Sequence, residues 1–254
     1  MKTCASVRDL PAAGKRIDAA GGALPHALNR IALRDPGIEV WLARLDLAAG
    51  QIRQCASVLS RDEQLRAERF HFARDRRRFV VARGRLRQLL GGYLGIAPAA
   101  IAFEKAKNGK LSVTRHAAAV QFNVAHSDER AIYAVSRRCA LGVDIECLNR
   151  DVDCDRLAER FFTQRERTML RRIPEAERKR AFLACWTRKE AVVKATGDGL
   201  ALPLDQFDVT VAPDAAPRLR HFAIATQRTA NWHLYAANVG SDYVATIAAF
   251  QGKQ

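Results

Sequence analysis

In the segment Leu141–Glu146, read LGVDIE, two carboxylates stand two residues apart, at Asp144 and Glu146. The strand period of two sends Leu141, Val143 and Ile145 to one face and sets Asp144 and Glu146 side by side on the other. Carboxylates that close repel each other unless a cation sits between them. A third oxygen ligand can come from Glu190, in the later segment Arg180–Leu200 (RAFLACWTRKEAVVKATGDGL). Three carboxylates with no His or Cys partner form a hard-oxygen set, suited to Mg²⁺ or Mn²⁺ rather than to Zn²⁺. Magnesium held that way keeps positions for water and substrate phosphates, so the set points to phosphate chemistry. For the Asp-x-Glu pair taken alone, an ordinary strand with a polar outer face accounts for the same residues.

The element that must present Glu190 has a helical period. Phe182, Trp186 and Val193 share a face, Glu190 lies on it one turn after Trp186, and Lys194 follows one turn later. A carboxylate in an apolar stripe is costly unless a cation meets it. Gly197 and Gly199 stop the helix. The plain alternative is a Glu190–Lys194 pair on a solvated face, worth about 0.3–0.5 kcal/mol.

The chain has 254 residues, enough for one large or two ordinary domains, and its 48% hydrophobic and 27% charged residues describe a folded globular protein. The formal charge of +15 predicts an anionic partner. Its densest part is 61–90, where ten arginines face four acids, Asp62, Glu63, Glu68 and Asp75. That stretch reads either as a solvated helix face or as an anion-binding edge, since arginine grips phosphate oxygens in pairs. The six cysteines are scattered, with no CxxC spacing, which predicts free thiols and a reducing compartment. Neither a signal-peptide core nor a run of 18 apolar residues is present in the sequence, so a soluble, cytoplasmic protein is expected.

In chain order, residues 1–37 carry no clear period and read as an extension. Ile38–Leu47 reads as a first strand. Ser60 caps a helix with Glu63 as its capping-box partner, and that helix is expected to run to Gly91–Gly92, with Leu65, Arg69 and Phe72 sharing one face and Phe79, Leu86 and Leu90 another. Ile101–Glu104 reads as a short strand and Asn108–Gly109 as a hairpin turn. Val120–Val124 and Ala131–Ser136 read as strands with His126–Ser127–Asp128 in the bend between them, and Cys139–Glu146 as another strand. Helices are expected at Asp155–Phe162, Gln164–Arg172 and Glu175–Thr196, then strands near Phe207–Val211, Leu219–Ala225, Trp232–Val239 and Val244–Phe250. Strand, helices, then strands occurs twice, which suggests a duplicated α+β unit with a seam near residue 140.

Gly142–Glu146 (GVDIE) and Trp186–Leu200 (WTRKEAVVKATGDGL) resemble the paired signatures of the Sfp-type 4′-phosphopantetheinyl transferases. Phe122–Ser127 (FNVAHS) is similar to that family's FN(I/L)SHS segment, and Phe161–Glu166 (FFTQRE) to its RFF…E segment. The arginine-rich helix is similar to the family's N-terminal half, so the resemblance covers about residues 38–250 in the family's order. It implies an α+β fold of two similar α/β subdomains packed as a pseudo-dimer: an extension (1–37), an N-terminal subdomain with the basic helix and nucleotide loop (38–140), and a C-terminal subdomain with the metal site and helix 180–197 (141–254). The implied activity is transfer of the 4′-phosphopantetheine group of coenzyme A to a serine of an apo acyl, peptidyl or aryl carrier protein, releasing adenosine 3′,5′-bisphosphate.

The resemblance further implies that Asp144, Glu146 and Glu190 hold Mg²⁺ (or Mn²⁺) and that Lys194 touches the diphosphate. His126 and Lys110 match cofactor-binding positions, and Arg66, Arg69 and Arg78 lie where the family places basic contacts to coenzyme A. The carrier serine would give its proton to Glu190 or to Glu166. Leu111 stands where the family often has proline and Ala125 where it has serine. The implied protein is a monomer working on acidic carrier proteins, without nucleic acid or membrane as partner. Two other readings of the acids and the charge are a magnesium-dependent nuclease and a basic RNA-binding protein; the latter lacks an aromatic stacking platform.

Overall fold

A computed structural model describes residues 28–106, 109–114, 116, 119–197, 202–222 and 229–252. It begins with two antiparallel strands, β1 (Leu28–Ile31) and β2 (Ile38–Arg44). β1 falls inside the stretch read as an extension; with four residues, of which Asn29 and Arg30 are exposed, it is too short to show a period. Helices α1 (Ala49–Ala56), α2 (Arg61–Glu68) and α3 (Ala73–Leu94) follow. The capping box is present: the Ser60 hydroxyl accepts the Glu63 N–H at 3.4 Å, and Glu63 accepts the Ser60 N–H at 3.0 Å.

The single helix expected from Ser60 to Gly91–Gly92 is two helices, broken at Phe72, whose backbone is extended (φ −92°, ψ 131°). The reason is an ion pair. Glu63 Oε2 meets Arg87 Nε at 2.6 Å, whereas in one straight helix those residues would be about 36 Å apart at 1.5 Å per residue. α2 must therefore fold back along α3. Leu65 and Phe72, expected to share a face of that helix, lie in α2 and at the break and are exposed (37% and 63%). The glycines at 91 and 92 lie inside α3, which ends at Gly95.

A short hairpin joins β3 (Phe103–Lys105) to β4 (Leu111–Val113); Asn108 of the expected turn lies outside the described residues. β5 (Gln121–Ser127) and β6 (Arg130–Ser136) complete a four-stranded antiparallel sheet in the order β1-β2-β6-β5. His126 and Ser127, expected in a bend, are the last residues of β5, and the turn is made by Asp128, at φ 48°, and Glu129.

The second half repeats the plan with β7 (Ala140–Cys147), α4 (Cys154–Phe161), α5 (Gln164–Arg171), α6 (Glu175–Thr196), the hairpin β8 (Phe207–Val209) and β9 (Leu219–Phe222), then β10 (Trp232–Ala236) and β11 (Tyr243–Phe250). Gly199 and residues 223–225 of an expected strand lie outside the described residues. The sheet order is β10-β11-β7. One core cluster fills the first half around Trp41, Leu86 and Tyr133, and another lies under α6 around Phe162, Phe182 and Phe207. A third joins the halves: Val40 and Ile132 meet Leu141, Val143, Ile145 and Ile247. The odd-numbered face of β7 is thus the core face its period predicts. The fold is α+β. Among the described residues, no helix is long and apolar enough to cross a membrane.

Candidate active site

Gly142 decides how the acids are placed. A Cβ at that position would stand 1.9 Å from the carbonyl oxygen of Ala191 and 2.5 Å from the nitrogen of Ala195. Only a glycine lets the backbones of β7 and α6 approach that closely. The helix therefore covers the even-numbered face of β7, and Asp144 and Glu146 are buried rather than on a polar outer face.

This packing changes the partner of Lys194. Its ammonium donates to Asp144 Oδ1 at 2.6 Å and to the Val143 carbonyl at 3.2 Å, so the helix lysine bonds the strand acid instead of making the local pair with Glu190. Asp144 Oδ2 is buried with no hydrogen-bond partner among the described residues. Glu146 accepts from the Ser127 hydroxyl at 2.9 Å and from Arg150 at 3.0 and 3.1 Å. The Glu190 side chain has no hydrogen bond or ion pair among the described residues and faces the cleft described below.

The electrostatics follow from that crowding. Burial pushes Asp144 up to about 7; Lys194 opposes the rise, and the charges of Glu146 and Glu190 add to it. Burial also raises Glu190, again against the pull of Lys194 and with a further push from Glu146. Loss of hydration holds the His126 imidazole below its ordinary value, although part of the side chain stays open to solvent; Lys194, Arg66 and Arg78 act in the same direction.

Two hollows flank the acids. The larger, about 890 Å³, is ringed by six cations, Arg66, Arg83, Lys105, Lys110, Arg160 and Lys194, over an apolar floor that includes Phe122, Phe161 and Trp186. Trp186 meets Phe161 edge-on at 5.6 Å and stacks with Phe182 at 6.0 Å. Lys110 donates to the Ala195 carbonyl at 3.1 Å, at the C-terminal end of α6. A smaller hollow of about 590 Å³ holds His126, Ser127, Arg78 and Arg150. A basic cleft with aromatic walls and an acid–lysine cluster at its edge can bind a phosphate-bearing ligand that also carries flat or apolar groups.

The expected site residues divide clearly. Glu190, Lys194, Arg66 and Lys110 line the large cleft, with Asp144 joined to it through Lys194. His126 and Arg78 line the smaller hollow. Arg78 is committed to Asp46 (2.9 and 2.7 Å) and Asp128 (2.6 Å), bonds that raise its pKa further. Arg69 is exposed and lines neither hollow.

Glu166, expected as an alternative base, is a buried structural group. It closes the α5 capping box on Thr163, pairs with buried Lys189 at 2.7 Å and accepts the Val209 N–H at 2.8 Å. Its carboxylate is taken up by these partners and lines neither hollow. The sequence reading missed Arg83, Lys105, Arg160, Ser127 and Arg150. Arg83 was the most legible of these: it lies one helical turn after Phe79, and its guanidinium stands 5.9 Å from that ring and 5.3 Å from that of Phe103.

As the side chains stand, with cations set against two of the acids, no three His, Cys, Asp or Glu residues among those described form a metal-ligating group. Lys194 and Arg150 supply the positive charge next to Asp144 and Glu146.

Fold and cleft together define an α+β enzyme built for a phosphate-rich ligand. The chain belongs to the 4′-phosphopantetheinyl transferase superfamily: the superfamily's own model matches residues 140–248, and that of the 4′-phosphopantetheinyl transferase N-terminal region matches 48–138. It is 38% identical to the 4′-phosphopantetheinyl transferase HetI of Nostoc sp. over 78% of this chain and 83% of that protein. It is 28% identical to the 4′-phosphopantetheinyl transferase Sfp of Bacillus subtilis over 62% of this chain and 69% of that one. Among solved structures, the holo-(acyl-carrier-protein) synthase from Bacillus anthracis is 21% identical, covering 45% of this chain and 98% of that one at a TM-score of 0.37. The protein is a phosphopantetheine-transferring enzyme that modifies carrier proteins.

Proposed function

We propose that the donor is coenzyme A, bound in the large cleft, and that the acceptor is a serine of an acidic acyl, peptidyl or aryl carrier protein. The serine oxygen attacks the phosphorus that carries the pantetheine arm. A new O–P bond forms, the bond to the nucleotide half breaks, and adenosine 3′,5′-bisphosphate leaves.

Asp144, Glu146 and Glu190 would hold Mg²⁺, with Mn²⁺ as a substitute. The support is the buried Asp144 Oδ2 with no hydrogen-bond partner among the described residues, next to two further carboxylates in a hard-oxygen set. When bound, the ion supplies charge neutralisation on the diphosphate. Lys194 and Arg150 are long side chains on flexible stems, and both would turn from a carboxylate to a phosphate oxygen when the ligand and ion bind. Arg66, Arg83, Lys105 and Lys110 grip the nucleotide phosphates, while Phe122, Phe161 and Trp186 shed water from the cleft. Glu190 Oε, at the cleft wall, takes the serine proton. His126 binds the donor from the smaller hollow, beside Arg78, whose guanidinium Asp46 and Asp128 hold in place.

We assign residues 38–140 and 141–254 to two subdomains with the cleft between them, working as a monomer. The five described cysteines are free thiols, as a reducing cytoplasm would keep them.

The observation that carries this reading is the joining of Asp144, through Lys194, to a cleft ringed with cations. Incubation with coenzyme A, Mg²⁺ and an apo-carrier protein should add the phosphopantetheine arm, read by mass spectrometry. A carrier left unchanged, or one modified equally in EDTA, refutes the reading or its metal part respectively.

A further inference from the structure

β7 carries its acids on a strand whose two edges are treated differently. On one side it is laddered to β11; on the other it runs beside β5, yet the two strands belong to separate sheets. Backbone N–H groups facing a neighbour without a ladder need other acceptors. Two side chains of β5 provide them. Asn123 Oδ1 accepts the Val143 N–H at 3.0 Å, and the Ser127 hydroxyl accepts the Cys147 N–H at 3.1 Å. The two contacts have the same spacing on both strands, so they bracket the segment that bears Asp144 and Glu146. Ser127 also donates to Glu146 Oε2 at 2.9 Å. One buried hydroxyl thus ties the orientation of that carboxylate to the backbone of the next residue.

We propose that Asn123 and Ser127 are positioning residues for the divalent-ion site: two side-chain clamps from β5 that hold the acid-bearing stretch of β7 in register with Glu190 on α6. The inference rests on the metal reading above. Neither residue is needed as a ligand. They act through the β7 backbone and, in the case of Ser127, through Glu146. Side chains that orient a ligand in this way typically change metal affinity by roughly 10–100-fold when removed. A purely structural pair of hydrogen bonds would lower stability and leave affinity alone.

The test is a Mn²⁺ titration of the full chain, followed by the paramagnetic resonance signal of the free ion, with thermal unfolding recorded alongside. Ser127→Ala and Asn123→Ala should each weaken Mn²⁺ binding roughly tenfold or more, and Ser127→Thr, which keeps the hydroxyl, should restore it. At saturating Mg²⁺, Ser127→Ala should regain most of its turnover. Unchanged Mn²⁺ affinity in both alanine variants overturns the clamp, as does a loss in Ser127→Thr equal to that in Ser127→Ala. If Ser127→Ala does not fold, Asn123→Ala against wild type decides by the same criterion. A wild type that binds no Mn²⁺, or binds it equally well after Asp144→Ala, sinks the metal reading itself and the clamp with it.

Discussion

The two halves of the chain share a brace and differ in what they bring to the cleft. In the first, a capping box at Ser60 and Glu63 starts α2, the Glu63 carboxylate also reaches Arg87 on α3, and α3 ends at Gly95 with φ 68°. In the second, the capping box at Thr163 and Glu166 starts α5, Glu166 reaches Lys189 on α6, and α6 ends at Gly197 with φ 77°. Both long helices have 22 residues, and the strand orders β2-β6-β5 and β7-β11-β10 correspond. Glutamate therefore does two jobs twice, satisfying a helix start and neutralising a cation from the helix that packs above it.

By this correspondence Glu190 and Lys194 fall on Gln88 and Gly92, and the face of β2 turned to α3, as Asp144 and Glu146 are turned to α6, carries Trp41 and Ala43. The acids have no counterpart there. The first half supplies cations instead: Arg66, Arg83, Lys105 and Lys110. Shared residues keep the scaffold, and the divergent ones put the acids on the second half's side and four further cations on the first half's side of one cleft, which suits an anionic ligand.

The sharpest break of this comparison is at the acids. Asp144→Ala or Glu190→Gln should cut carrier modification by about a thousandfold or more, since neutralising transferred-phosphate charge is worth several kcal/mol. Gln88→Ala, the first-half counterpart of Glu190, should change it less than about twofold. Single-turnover labelling on protein of native circular dichroism measures both, and an equal loss at Gln88 ends the asymmetry. Next come the braces. Glu166→Ala strands a lysine that is fully buried and should cost about 3–5 kcal/mol in urea unfolding. Glu63→Ala should cost less, because Arg87 keeps the carbonyls of Pro98, Ala99 and Ile101, where Lys189 keeps that of Phe207 alone. The reverse order would show the braces to be unlike. Gly142→Ala should destabilise by about 3 kcal/mol by prising α6 off β7, with Asp144 losing Lys194; unaltered unfolding and turnover would remove the close approach from the account. Arg66→Ala and Arg83→Ala should each raise KM for coenzyme A about tenfold, a charge-assisted bond to phosphate being worth about 1.5–3 kcal/mol. The smallest effect is expected at Arg69→Ala, below about twofold on KM, because that side chain is exposed outside both hollows.

Local rules made several elements legible. Ser60 with Glu63, the face of Phe182 and Trp186, and the Leu141–Val143–Ile145 alternation each involve neighbours within a turn or a strand, so periodicity reads them directly. The break at Phe72 escaped because its cause is Glu63 meeting Arg87, and no nearby residue marks it. Glu166 looked like a free acid of a motif because its true partner, Lys189, lies on another helix. Arg69 and Arg83 look alike in a run of arginines, and only packing separates the one in solvent from the one in the cleft.

By itself, then, the order of residues determined the helices and strands, the capping boxes, the excess of positive charge and the three acids with their family signatures, all of which follow from side-chain type and short-range spacing. Tertiary structure alone decided that Lys194 bonds Asp144 rather than pairing locally with Glu190, that Glu166 is sealed in the core, and that β5 clamps β7 on both sides of the acids. The physical reason is that these depend on contacts between residues distant in sequence, made possible where Gly142 lets one backbone rest against another.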